Sequence, residues 1–254
     1  MRYVVVVPTY NESENVETLI PLILRQGEEF HVLIVDDNSP DGTGEIADRL
    51  AAGTSRVHVM HRREKMGLGT AYVAGFGWAL DYDADLIFEM DADFSHNPDM
   101  LPHFVKAIAD CDLVLGSRYV LGGGVENWPA SRQFMSRGGS LYARTILGVG
   151  VRDLTGGFKC FRRRVLETLD LNHVETSGYA FQIEMTYRTL LSGFRVKEMP
   201  IIFADRVQGI SKMSRSVFLE AILAVWKLRL RLSRRGAQMH LLPPEQLDPE
   251  VLRA

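Results

Sequence analysis

Asp91 and Asp93 flank one small residue, Ala92, directly after the apolar run Leu86 to Met90. Two carboxylates at i and i+2, where a chain leaves a strand, can converge on one hard cation. Magnesium or manganese suits them, with the remaining ligand oxygens coming from water and a substrate diphosphate. The rival reading is a simple cap, because Asn97-Pro98 opens a helix shortly afterwards. Two more clusters favour the site. Pro8-Thr9-Tyr10-Asn11-Glu12 follows a Val-rich run, and Asp36-Asp37-Asn38-Ser39-Pro40-Asp41-Gly42 follows another. Tyr10 could lie against a base or ribose, with Glu12 and Asp37 accepting hydrogen bonds from base or sugar donors. Side chains must hold such a nucleotide. The first loop is not Gly-rich, Gly67-Leu68-Gly69 lacks the third glycine of a dinucleotide fingerprint, and no G-x-x-x-x-G-K-[ST] sequence occurs. These absences argue against a nicotinamide dehydrogenase and a P-loop nucleotide hydrolase.

The elements that must position these residues read as βαβ units around a parallel sheet. Strands are predicted at Tyr3 to Val7, Val32 to Asp36, Val57 to His61, Leu86 to Met90 and Leu113 to Gly116. Helices are predicted at Glu14 to Arg25, Gly44 to Ala52, Leu68 to Leu80 and Asp99 to Ala109. Ligands of open parallel sheets bind at the carboxyl ends of the strands, so all three clusters should share one rim. From Tyr119 to Gly139 the pattern lapses through Gly122-Gly123-Gly124 and Trp128-Pro129, which reads as an active-site flap. Then follow a helix near Phe134 to Leu147, a strand near Phe158 to Phe161, a helix near Phe181 to Leu191 and strands within Val196 to Phe203.

The last helix, about Ser214 to Arg234, places Leu219, Ile222, Leu223, Trp226 and Leu230 on one stripe and Glu220, Lys227, Arg231 and Arg234 on another. Glu220 and Lys227 interrupt its apolar run, which falls short of the ~20 residues that a spanning helix needs. It therefore either lies in a membrane interface or packs on a core or partner. Residues 1–212 form the main unit on this reading, 213–235 the amphipathic basic helix and 236–254 a loosely ordered tail.

The chain has 254 residues, 46% of them hydrophobic, enough to bury a full core. A formal net charge of -3 gives no global field for nucleic acid. Cys111 and Cys160 form no C-x-x-C pair and read as reduced structural thiols of a cytoplasmic protein. Met1-Arg2-Tyr3 runs straight into Val4, so the N-terminus is read as the first strand rather than a secretory signal.

With these motifs in hand, the chain resembles the family-two glycosyltransferases of the GT-A fold, within them the polyprenol-phosphate (dolichol-phosphate) mannose synthases. The carriers are the two loops above with Val35 and Thr43, then Gly67-Leu68-Gly69, Met90-Asp91-Ala92-Asp93-Phe94-Ser95-His96 and Gly116-Ser117-Arg118-Tyr119. Thr155-Gly156-Gly157-Phe158 and Tyr179-Ala180-Phe181-Gln182-Ile183-Glu184 complete them. The resemblance implies a Rossmann-like, mostly parallel sheet flanked by helices, with the C-terminal amphipathic helix added. It implies metal binding by Asp91 and Asp93, and nucleotide-sugar binding by Pro8, Tyr10, Glu12, Asp37, Lys65, Gly67 and Ala92. Related synthases often carry a metal-contacting Gln where Ser95 stands; the shorter hydroxyl leaves that contact to Ser95 or to a water. His96, one imidazole beside hard oxygen ligands, reads as a hydrogen-bonding loop residue.

The resemblance also implies GDP-mannose as donor, a polyprenyl monophosphate as acceptor and an inverting transfer to a β-linked product. A phosphate monoester has a second pKa of about 6, so it is largely a dianion near neutral pH and needs no general base. Many relatives that act on sugar hydroxyls carry a catalytic aspartate near Gln182-Ile183-Glu184, and none stands there. Arg118, Arg132, Arg206 and Lys212 are the cations expected to hold the acceptor phosphate, Arg118 and Arg132 counting also as catalytic; Arg137 reads as a surface charge. A lipid acceptor implies peripheral attachment to the cytoplasmic face of a membrane, with a membrane-embedded protein as a further expected partner. Three alternatives stay open: a UDP-sugar donor such as UDP-glucose, a glycosyltransferase acting on a sugar hydroxyl with Asp153 or Glu184 as base, and a non-catalytic sugar-nucleotide sensor.

Overall fold

The computed structural model describes residues 1–174, 178–204 and 215–232, without the side chains of 179 and 215–222. Arg206, Ser211, Lys212, Arg234 and the tail from 236 lie outside the described residues. The first half alternates β1 (Tyr3–Thr9), α1 (Ser13–Leu24), β2 (Phe30–Asp36), α2 (Thr43–Gly53), β3 (Val57–His61), α3 (Leu68–Asp81), β4 (Leu86–Glu89), α4 (Leu101–Ala107) and β5 (Leu113–Ser117). Strand alternation decides which residues face which layer. Val4 and Val6 join the core beneath α3, while Val5 and Val7 join the core beneath α1. Each fully buried Val or Leu here contributes roughly 1.5–3 kcal/mol. Gly75 sets how closely α3 approaches the sheet, because a Cβ there would come within 2.4 Å of Val6 Cγ1.

The second half departs from a purely parallel pattern. It contains β6 (Gly124–Val125), α5 (Ala130–Leu147), β7 (Lys159–Arg162), α6 (Arg163–Thr168), α7 (Gly178–Leu191), β8 (Val196–Pro200), β9 (Ile202–Phe203) and α8 (Arg215–Leu232). The seven-stranded sheet has the order β3-β2-β1-β4-β7-β5-β8, and β7 runs antiparallel between β4 and β5. The predicted flap is shorter than expected. Pro129, at ψ 145°, closes the loop and starts α5, so residues 130–139 are helical, and β6 pairs with β9 in a small parallel ribbon. The helix predicted over Asp99 to Ala109 is broken into α4 between two 3₁₀ turns.

Helix α8 packs on α5 and α7. Val225, Leu228 and Leu232 enter the common core, whereas Leu223, Trp226 and Leu230 are exposed beside Lys227. Arg231, which the sequence places on the basic stripe, turns toward the buried Glu184, Nη2 to Oε1 at 2.5 Å. Among the described residues no helix is long and apolar enough to cross a membrane.

Candidate active site

Because β2, β1 and β4 are neighbours in the sheet, their carboxyl ends bring the three acidic clusters onto one rim, as the sequence pattern predicts. The loops after β1 and β2 are stitched together. Thr9 Oγ1 and Ser39 Oγ donate to Asp36 Oδ1 at 2.9 and 2.6 Å, and the Asn11 N–H donates to Ser39 Oγ at 3.0 Å. The Glu12 N–H reaches Thr43 Oγ1 at 3.0 Å and the Ser13 N–H reaches Asp41 Oδ2 at 3.1 Å. Asp36 and Asp41 are thus structural ties. Asn11 and Asn38 take the left-handed turn that asparagine tolerates, with φ of 61° and 56°. Asp37 pairs with Arg62 at 2.8 Å; burial pushes its carboxyl pKa up while Arg62 opposes the rise. The Lys65 ammonium stands 3.6 Å from the centroid of the Tyr10 ring, so these two predicted nucleotide contacts meet. Pro8 lies within β1, Gly67 precedes α3 at φ 99°, and Ala92 is buried in the core.

Asp91 and Asp93 are fixed separately. The buried Tyr72 hydroxyl, from α3, donates to Asp91 Oδ1 at 3.1 Å, and the Asp91 N–H donates to His96 Nδ1 at 3.1 Å. His96 is therefore the hydrogen-bonding loop residue expected. Its ring stacks on Phe158, and burial lowers its pKa, which keeps the imidazole neutral. Asp93, 7% exposed, accepts the Ser95 N–H and hydroxyl on Oδ1 at 3.1 and 2.5 Å. Ser95 thus spends its hydroxyl proton positioning Asp93. Between them Phe94 adopts φ 61°, a strained conformation for an aromatic residue, which turns the chain sharply behind Asp93. Two carboxylates held in this way are hard, anionic ligands that fit a divalent cation. Among the described residues no cluster of three or more Asp, Glu, His or Cys side chains forms a cage.

Beneath them lies a pair that the sequence pattern did not disclose. Glu89 and Lys159 are both fully buried, 3.5 Å apart, and the Lys159 ammonium also donates to the Gln182 backbone and side-chain oxygens. Burial raises Glu89 to about 7 despite Lys159, and lowers Lys159.

Beyond β5 the charges reverse. Arg118 is buried, and its Nε and Nη2 donate to the two Asp153 carboxylate oxygens at 2.7 Å each. Nη2 also reaches Thr155 Oγ1 at 2.8 Å. The Asp153 loop is held in turn by Glu198, which accepts the Arg152 and Asp153 N–H groups at 2.8 and 2.9 Å. Arg132 lies across the Trp128 ring at 3.9 Å, with Arg118 5.6 Å from the same ring centroid. Gly123 folds this loop against the end of β5, since a Cβ there would meet the Ser117 carbonyl at 2.4 Å. Arg137 is exposed, 5.6 Å from the Tyr119 ring centroid. Asp153 and Glu184 are both fully buried against arginines, Glu184 against Arg188 and Arg231. Neither is presented as a general base.

The structure thus gathers Tyr10, Lys65, Glu12, Asp37, Asp91 and Asp93 at the rim, and Arg118 with Arg132 around Trp128. Sequence reasoning missed Tyr72, Arg62 and the Glu89–Lys159 pair. Tyr72 had a usable signal, a hydroxyl on the otherwise apolar face that α3 turns to the sheet.

The glycosyl transferase family 2 model matches residues 4–170. The chain is 48% identical over 237 residues to a polyprenol monophosphomannose synthase of Mycolicibacterium smegmatis, covering 92% of this chain and 89% of that protein. It is 45% identical over 243 residues to an undecaprenyl-phosphate mannosyltransferase of Micrococcus luteus, covering 95% of this chain and all of the other. Among solved structures, a mannosyltransferase from Pyrobaculum calidifontis in complex with GDP-Man and Mn2+ superposes with a TM-score of 0.60 at 20% identity, over 99% of this chain and 68% of that one. Glucosyl-3-phosphoglycerate synthase from Mycobacterium tuberculosis gives 0.61 at 17% identity, over 91% and 79%.

Proposed function

Since this chain belongs to the family-two glycosyltransferases and has their GT-A fold, we propose that it transfers mannose from GDP-mannose to a polyprenyl monophosphate. The product is a β-linked polyprenyl-phosphate mannose, formed by in-line attack of the phosphate oxygen on the anomeric carbon. The observation that carries this reading is the pairing of Asp153 and Glu184. Asp153 and Glu184, the carboxylates considered as bases for a sugar hydroxyl, are fully buried and held by arginines, which favours an acceptor that arrives already ionised. A phosphate monoester does so near neutral pH. The names of the two relatives above support mannose and a polyprenyl phosphate, and the GDP-Man complex of the Pyrobaculum enzyme supports the donor.

In this reading Tyr10, Lys65, Glu12 and Asp37 orient the nucleotide, and Arg118 and Arg132 receive the acceptor phosphate, with Arg206 and Lys212 as further cations. Asp91 and Asp93 hold a magnesium or manganese ion, which neutralises charge on the departing diphosphate when bound. Tyr72, His96 and Ser95 keep the two carboxylates aimed, so little reorganisation is needed during transfer. The exposed Leu223, Trp226 and Leu230 of α8 attach the enzyme peripherally to the cytoplasmic face of a membrane, where the acceptor resides and where an embedded partner protein can meet it.

The test is product formation from labelled GDP-mannose or UDP-glucose with polyprenyl phosphate or a free sugar, in magnesium or manganese and in chelator. Transfer is expected only from GDP-mannose to the phosphate, with metal present, and Asp93→Ala should lose at least about a thousandfold in rate. Transfer to a sugar hydroxyl alone, or an Asp93→Ala enzyme of full activity, would sink the proposal.

A further inference from the structure

The indole of Trp128 carries a donor with nothing to receive it. Its Nε1 is buried and makes no hydrogen bond, although a buried N–H ordinarily finds a partner. The ring does not drift. Gln133 Nε2 donates to the Trp128 carbonyl at 3.1 Å, Phe203 packs edge-on at 5.4 Å, and Arg132 covers one face at 3.9 Å. The ring is therefore held in place with its donor unmet, at a steady cost in desolvation.

Its surroundings say what would complete it. Arg118 and Arg132 both stand within 5.6 Å of the ring centroid, so the place is electropositive. The nearby carboxylate of Asp153 has both oxygens engaged by Arg118. Two guanidinium groups beside a buried N–H favour an anion with acceptor oxygens over a neutral water. We infer that Trp128 Nε1 donates a hydrogen bond to the acceptor's phosphate group, between the guanidinium groups of Arg118 and Arg132. The inference rests on the acceptor assigned under Proposed function. It adds a neutral, directional donor, which distinguishes a correctly placed phosphate from an anion held by charge alone.

The 254-residue chain has three tryptophans, so ¹⁵N-indole labelling gives three N–H signals, and Trp128→Phe identifies the relevant one. Titration with a short, soluble isoprenyl monophosphate should shift that signal downfield and saturably, and GDP-mannose alone should leave it in place. Trp128→Phe, and benzothienylalanine at position 128, which keeps the ring shape but lacks N–H, should each raise the acceptor KM about tenfold with the GDP-mannose KM unchanged. A signal that stays put while transfer to the isoprenyl phosphate proceeds would overturn this inference alone. So would a benzothienylalanine enzyme with the wild-type acceptor KM, or a signal that answers to GDP-mannose instead. Failure of the wild-type enzyme to bind or use any isoprenyl phosphate would overturn the acceptor assignment and this inference together.

Discussion

On the rim formed by β1, β2 and β4, carboxylates other than the Arg62-paired Asp37 are held by hydroxyls and main-chain amides, whereas beyond β5 guanidinium groups are held by carboxylates and aromatic rings. Asp36, Asp91 and Asp93 each receive short donors from Thr9, Ser39, Tyr72 or Ser95. Arg118 and Arg132 instead rest on Asp153 and Trp128. The surfaces around the two regions differ as well. Leu121, Phe134, Met135 and Leu141 lie exposed along the loop and helix on the arginine side, Phe134 at 81%. The contrast teaches that the two regions offer different chemistry, as the proposed function requires. The rim suits a polar donor that brings its own counter-ion, and the arginine side suits an anion attached to something apolar.

The strongest way to break that contrast is Asp153→Asn. It removes the charge that holds Arg118 while leaving the shape, so catalytic efficiency toward the phosphate acceptor should fall about a hundredfold with the GDP-mannose KM little changed. Removing the Asp153 charge from beside a buried arginine should also cost about 3 kcal/mol of stability, read from urea unfolding. Equal losses for donor and acceptor would show that the two regions are not separable.

A double Trp226→Glu and Leu230→Glu change addresses the apolar border. Co-sedimentation with anionic vesicles should drop about tenfold, while turnover of a short soluble acceptor stays at the wild-type level. If soluble turnover falls equally, the outer face of α8 serves the fold rather than a lipid surface.

The smallest effect concerns the buried Glu89. Burial lifts its carboxyl from 4.5 to about 7, so between those values the folded protein keeps a proton that the unfolded chain has lost. The stability this contributes is complete below about pH 4.5 and is lost as pH rises through about 7. The Tm of Glu89→Gln should therefore gain on wild type by a few degrees between pH 5 and 8, measured by differential scanning calorimetry. A constant difference would mean that Glu89 is ionised throughout.

Much of the carboxylate rim was readable because its strands are β-branched runs ending in polar clusters, so periodicity and position alone put Asp37, Asp91 and Asp93 on one rim. The arginine side was less so. Lys-Cys-Phe-Arg at 159–162 announces a short strand but not its direction, and nothing local says that it inserts antiparallel between β4 and β5. Asp153 could be noticed as a carboxylate, yet its role as the seat of Arg118 depends on a contact 35 residues away in sequence. In α8 the period separates an apolar from a basic stripe without saying which one faces in. Tertiary packing decided that, turning Arg231 toward a buried glutamate.

That turn bears on how the enzyme can be handled. Glu184 is wholly enclosed and shares its charge between Arg188 and Arg231, and Arg229 meanwhile caps the end of α5 through the Leu147 carbonyl at 2.6 Å. The helix proposed to meet a lipid surface on its outer face is, on its inner face, a clasp on the catalytic body. Cutting the chain before α8 to obtain a soluble enzyme would unclasp α7, the helix that also carries Gln182 beside Lys159. Polar substitutions at Leu223, Trp226 and Leu230 are the safer route, because they change what the helix shows without changing what it holds.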